Sequence, residues 1–279
     1  MAGHRNTLIF VLALAAPLAG CDSMTGLNSR HSPGFAETSS ADPKAVEANI
    51  DSLNRVVQSH PDDPEAYNTR GVAYAKIGRF DQAIGDFSQA IKLDPRHAPA
   101  YTNRALAERQ TGANDAALAD FTHAIDSNPN HGPAYLGRAN LLRAQGQSDA
   151  ALRDLDQAIR LNPENAQSFH ARGLIYQKQG QNERAVTDFD NAIDRDPFAA
   201  APYQARGQSQ LALGQYDKAI EDFNAALNVD NHNASAWAGL GLAYEKKGDR
   251  QKAAENYQRA LSLNPDEPVA RAGSGRVRG

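Results

Sequence analysis

The chain has 279 residues, 41% hydrophobic and 22% charged, with a formal net charge of −4. That is enough apolar material for a large buried core, and the near-balanced charge excludes a strong general attraction to nucleic acid. A single cysteine excludes a disulfide framework and a thiolate metal site.

Residues 1–20 read as a signal peptide: an apolar run from Leu8 to Leu14 follows Arg5 and precedes Leu18-Ala19-Gly20-Cys21. The run is too short to span a bilayer comfortably, and small residues stand where processing would occur. Those last four residues resemble the bacterial lipobox, which implies cleavage before Cys21 and acyl (palmitate-type) attachment to its thiol. Two or more acyl chains hold a protein stably at a membrane face. The expected location is therefore the bacterial cell envelope, outside the cytoplasm. An aspartate after the lipidated cysteine is similar to the enteric pattern for inner-membrane retention, so Asp22 leans that way, with the outer membrane as the other assignment.

Residues 21–41 are rich in Ser, Gly, Thr and Asn with no periodic apolar stripe, which predicts a flexible tether. A coil of that length has an end-to-end distance of roughly 25 Å. Asp42-Pro43 then opens a helix, because proline suits a first turn and aspartate ahead of it caps free amides. Val46, Ile50, Leu53, Val56 and Val57 form its apolar stripe and Pro61 ends it. This segment, 42–63, reads as an N-terminal capping helix that covers the apolar face presented by Tyr67 and Tyr74.

From residue 64 the chain repeats every 34 residues, giving units 64–97, 98–131, 132–165, 166–199, 200–233 and 234–267. Prolines at 95, 129, 163, 197 and 265 close the units, with Asn231 in the one vacant slot. In the first unit Tyr67, Gly71 and Tyr74 share one helical face, Gly78 breaks that helix, and Ala83, Phe87, Ala90 and Ile91 stripe a second. Asp94-Pro95 ends it, since proline cannot continue the ladder of hydrogen bonds.

The recurring slots are a bulky residue (Tyr67, Tyr101, Tyr135, Phe169, Tyr203, Trp237), a small one (Gly71, Ala105, Ala139, Gly173, Gly207, Gly241) and two alanines, as at Ala83 and Ala90. The pattern resembles the tetratricopeptide repeat. The resemblance implies an all-α fold, a right-handed α-solenoid of six helix-turn-helix units whose first helices line the inside of a superhelix, where extended peptides commonly bind. Glu108, Leu142 and Gln210 replace the aromatic found at Tyr74, Tyr176 and Tyr244, so local packing is expected to differ there.

One arginine per unit recurs at Arg70, Arg104, Arg138, Arg172 and Arg206, in step with Asp86, Asp120, Asp154, Asp188 and Asp222. The sixth unit has Leu240 and Asn256, losing both partners together, which suggests that the slots touch. Pairing with the next unit would set Asp222 against Leu240 and Arg70 against Ser52. Pairing within a unit leaves none over and is preferred to an arginine row that binds anionic ligands.

By helical spacing, residues one, five, eight and nine after each bulky slot project inward. They give a groove of Asn68, Lys76, Thr102, Arg109, Gln110, Asn140, Arg143, His170, Gln177, Lys178, Gln204 and Gln208, amide-rich with a basic stripe. Such a surface suits an extended segment carrying carboxylates; long side chains merely solvating a helix face are the bland alternative. The family's clamp for a C-terminal carboxylate needs a lysine at the Asn68 slot and an asparagine at the Val72 slot, and both are missing.

Residues 268–279 carry Arg271, Arg276 and Arg278 and read as a loose basic tail, leaving an apolar flank on the last helix for a homodimer or a docked partner. Catalytic signals are absent: there is no HExxH, CxxC, phosphate loop or nucleophile elbow, and no cofactor is implied. His60, His97, His131 and His232 fall in turns as solvated residues, with no metal-ligand spacing. The expected function is a membrane-tethered protein–protein interaction adaptor, recruiting other envelope proteins as similar anchored repeat proteins do for cell-wall hydrolases and assembly machinery. A module binding cell-wall glycan or muropeptide is the alternative, disfavoured because the tyrosines occupy core slots.

Overall fold

The computed structural model describes residues 43–277, so Cys21 and the segments expected to be a signal peptide and a tether lie outside the described residues. Among those described, every regular element is an α-helix. A leading helix α1 (Pro43–Ser59) is followed by six hairpins: α2 (Pro64–Lys76) with α3 (Phe80–Leu93), α4 (Ala98–Gln110) with α5 (Asn114–Ser127), and α6 (Gly132–Ala144) with α7 (Ser148–Leu161). Then come α8 (Ala166–Lys178) with α9 (Asn182–Arg195), α10 (Ala200–Ala212) with α11 (Tyr216–Val229), α12 (Ala234–Lys247) with α13 (Arg250–Leu263), and a final α14 (Pro268–Val277).

Two local devices set the hairpins. Within each unit the turn passes through a left-handed glycine, Gly78 at φ +75° and its counterparts, a conformation that side chains disfavour. Between units, the aspartate or asparagine before the proline accepts a hydrogen bond from the amide two residues on, as Asp94 Oδ1 does from Arg96 at 2.9 Å. Asp230 does the same for the His232 amide at 3.0 Å, so the turn with Asn231 in the proline slot keeps its shape. Asn165 and Asn233 then cap α8 and α12 by accepting from the Ser168 and Ala236 amides.

The core lies between the two helices of each unit and the first helix of the next. Phe87, Phe121, Leu155, Phe189, Phe223 and Tyr257 are fully buried along it, with the paired alanines beside them. Their rings need bare backbone opposite. A Cβ on Gly137 would stand 2.3 Å from Phe121, and one on Gly239 2.5 Å from Phe223, so these glycines let the third and sixth units close on their predecessors. Consecutive first helices touch one another, whereas consecutive second helices do not. The stack therefore curves, with α2, α4, α6, α8, α10 and α12 crowded on the concave side and their partners fanned apart on the convex side.

The structure corrects the reading of the C-terminal end. Residues 268–277 form a packed helix, α14, against α12 and α13, with Ala270 and Gly273 buried. Gly273 lies flush on the Tyr257 ring, Arg276 pairs with Glu245 through Nε and Nη2 at 2.7 and 2.9 Å, and Tyr257 donates to the same carboxylate at 2.5 Å. Glu267 caps the helix by accepting from the Ala270 amide at 2.6 Å. Arg271 and Arg276 make a tail look loose, but the small residues between them permit close packing. The apolar flank that suggested self-association is covered.

The three departures from the aromatic slot differ. Leu142 is buried and apolar, while Glu108 and Gln210 each keep a buried oxygen with no hydrogen-bond partner. Burial, with Asp120 nearby, pushes the Glu108 carboxyl up to about 7.

Candidate functional site

The arginine ladder fixes the helices that carry the concave surface. Each of Arg70, Arg104, Arg138, Arg172 and Arg206 donates through Nε and Nη2 to both oxygens of the aspartate sixteen residues on, at 2.6–2.9 Å. The remaining Nη1 reaches back to the preceding second helix, to Asn54, Ser88, Thr122, Asp156 and Asp190 in turn, at 2.6–3.3 Å. One guanidinium thus ties three helices, which pairing within a unit alone does not provide. It also lies over the ring of the bulky slot, 5.7 Å from the Tyr67 and Tyr101 centroids. In the sixth unit Leu240 is buried at the arginine position instead.

Of the groove expected from spacing, one part converges. Arg109 of α4, Asn140 and Arg143 of α6 and His170 of α8 line a concave cavity of about 400 Å³ with Gln167, Ala171 and Leu174. No acidic side chain lines it. The Arg143 Nε is buried and has no hydrogen-bond partner. Burial and the neighbouring Arg143 charge push the His170 imidazole down to about 4, so it is neutral at neutral pH. Lys76, Gln110, Lys178 and Gln208 are exposed on the same set of helices, at either side of the cavity.

The rest of the expected amides serve packing between units. Asn68 is buried, donating to Glu65 at 3.2 Å and accepting from Asn103 at 3.0 Å. Thr102 is buried as well. Gln177 donates to the Ala205 carbonyl at 2.8 Å and to Ser209 Oγ at 2.9 Å, and Gln204 accepts from Asn233 at 2.6 Å. These positions face the adjoining first helix, which spacing along a single helix does not reveal. Gln167 was missed because it lies before the bulky slot, although its spacing to His170, Ala171 and Leu174 is that of one helical face.

The acids of the described first helices stand outside the cavity lining and differ in their surroundings. Glu65 is held below the usual carboxylate range chiefly by its hydrogen bond with His97 Nε2, at 3.0 Å. Glu245 is held low by Arg276, and Glu108 has one oxygen buried. His97 is not merely solvated, since its Nδ1 also accepts from the Ala100 amide at 3.1 Å. The described residues contain no cluster of His, Cys, Asp or Glu fit to hold a metal, and no helix of them is long and apolar enough to cross a membrane.

Fold and surface together define an α-solenoid of helical hairpins with a basic, acid-free concave cavity. The chain belongs to the tetratricopeptide-repeat family: models of that repeat match residues 64–97, 98–131, 121–153, 139–180, 166–198, 207–248 and 234–267. No curated protein matches it. Among solved structures it is similar to a chain of the APC/C hetero-tetramer Cut9-Hcn1 (TM-score 0.73, 21% identity, 85% of this chain), of whose length it spans 46%. It also resembles Pseudomonas aeruginosa PilF (TM-score 0.70, 18% identity, 76% of this chain and 97% of that one). YrrB, a tetratricopeptide-repeat protein with an unusual peptide-binding site, matches at TM-score 0.58 and 24% identity over 68% of this chain and 97% of its own. At these identities the likeness is one of fold.

Proposed function

We propose that this protein is a lipid-anchored interaction scaffold of the bacterial cell envelope, holding acidic, extended segments of partner proteins along its concave face. The observation that carries the reading is the concave cavity with Arg109 and Arg143, whose lining includes no acidic side chain. Carboxylates gain most from guanidinium donors that are already desolvated and fixed, because little ordering remains to be done on binding. YrrB's peptide-binding site, on a similar fold, agrees with that use. The guanidinium-covered tyrosines offer few open rings to stack on sugars, which favours protein partners over glycan.

Anchoring would come from Cys21, and Asp22 favours the inner membrane. Metabolic labelling with a fatty-acid analogue is expected to mark the full chain and not Cys21→Ser. Selection from a random extended-peptide library is expected to enrich Asp and Glu, with Arg109→Glu/Arg143→Glu losing that enrichment. An unlabelled chain refutes the anchor, and enrichment without acidic preference refutes the scaffold reading.

A further inference from the structure

We infer that the cavity between α4, α6 and α8 is a subsite for the carboxylate of an aspartate or glutamate side chain in the middle of an extended segment. The inference rests on the scaffold reading and adds the ligand group and its donor. The donor is the Arg143 guanidinium, which lines the cavity; its Nε is shut off from solvent without a hydrogen-bond partner, so an incoming carboxylate meets the terminal Nη groups. A guanidinium with one nitrogen already desolvated and unpaired gains most from a charge-assisted acceptor at its remaining nitrogens, and a carboxylate is that acceptor. Asn140 and Gln167 supply amides on the rim, suited to the peptide groups beside the anchoring side chain.

The occupant is placed in mid-segment by the surroundings. The cavity, about 400 Å³, has more room than one carboxylate needs, leaving space for adjoining backbone. The exposed concave side chains continue in both directions, Lys76 and Gln110 toward one end and Lys178 and Gln208 toward the other. A chain terminus would leave one of those arms unused.

His170 supplies a reporter. It faces the Arg109 and Arg143 guanidiniums across the cavity and the Phe189 ring of α9, 5.8 Å away between centroids. An anion seated beside it offsets the Arg143 charge and favours the imidazolium, so its titration midpoint rises from about 4.

The test is an NMR titration of the folded chain with acetyl-Gly-Gly-Glu-Gly-Gly-amide, its glutamine counterpart, pentaglycine with a free carboxyl terminus, and inorganic phosphate. The glutamate peptide is expected to shift the Arg143 Nε–H and His170 resonances and to raise the His170 midpoint. It should bind about tenfold more weakly to Arg143→Gln, whose fold is checked by its other amide resonances. Equal shifts from the glutamine peptide, or larger ones from pentaglycine or phosphate than from the glutamate side chain, overturn the inference. So does saturable glutamate-peptide binding that leaves both resonances unmoved, although acid recognition elsewhere on the concave face, and with it the scaffold, would then stand.

Discussion

Removing Arg138 or Asp154 tests whether the ladder holds the repeats together. The Asp154 side chain is 9% exposed and that of Arg138 22%, with paired hydrogen bonds of 2.7 and 2.9 Å and a third, longer one of 3.3 Å to Thr122. An exposed pair contributes about 0–1 kcal/mol, while breaking a buried one costs about 3–5. This pair lies between those limits but nearer the second, because the aspartate has little water to fall back on. Arg138→Ala is therefore expected to cost about 2–3 kcal/mol and Asp154→Ala about the same. The double variant should lose little more than either single one, for a coupling of about 2 kcal/mol. Urea unfolding followed by circular dichroism measures all four corners of the cycle. Strict additivity would show that the bidentate geometry contributes nothing, and the account of the ladder would fall.

Other parts of the fold give separate tests. The raised pKa of Glu108 means that its contribution is fully present below about 4.5, its unfolded value, and is lost as pH rises through about 7. Glu108→Gln should flatten that fall and gain about 1 kcal/mol at pH 8 after allowance for screening; an unchanged pH profile of urea midpoints contradicts it. Gly273→Val should lift α14, since even a Cβ there would lie 2.1 Å from the Tyr257 ring. Trp237, the chain's one tryptophan, packs in the same cluster as Val277, so its emission should move toward red. Deleting 268–279 should uncover that cluster and produce concentration-dependent association by light scattering; a monomer at all concentrations counts against α14 as the cover. Phe121→Ala should cost about 3–5 kcal/mol, as for a large core truncation, read by thermal unfolding, and a loss under 1 would contradict its place between two units.

The repeat architecture was legible because a period of 34 residues leaves its mark at every slot, and the joint loss at Leu240 and Asn256 pointed to the arginine–aspartate contact. The backward reach of Nη1 was readable too, in polar residues at Asn54, Ser88, Thr122, Asp156 and Asp190, but only once the three-helix geometry is known. Asn68, Thr102, Gln177 and Gln204 show the limit of helical spacing. It gives a residue's face, whereas curvature decides whether that face meets solvent or the next helix. The end helix escaped notice because its stripe is built from Ala270 and Gly273, residues too small to register as hydrophobic periodicity.

The most direct measurement places a photo-crosslinking amino acid at one exposed site at a time in the full chain within a bacterial envelope. Gln110 and Gln208 report on the first helices and Glu221 on the second. Partner adducts are expected from Gln110 and Gln208, lost with Arg109→Glu/Arg143→Glu, and none from Glu221. Adducts from Glu221 alone, or adducts indifferent to the charge reversal, would contradict the scaffold reading.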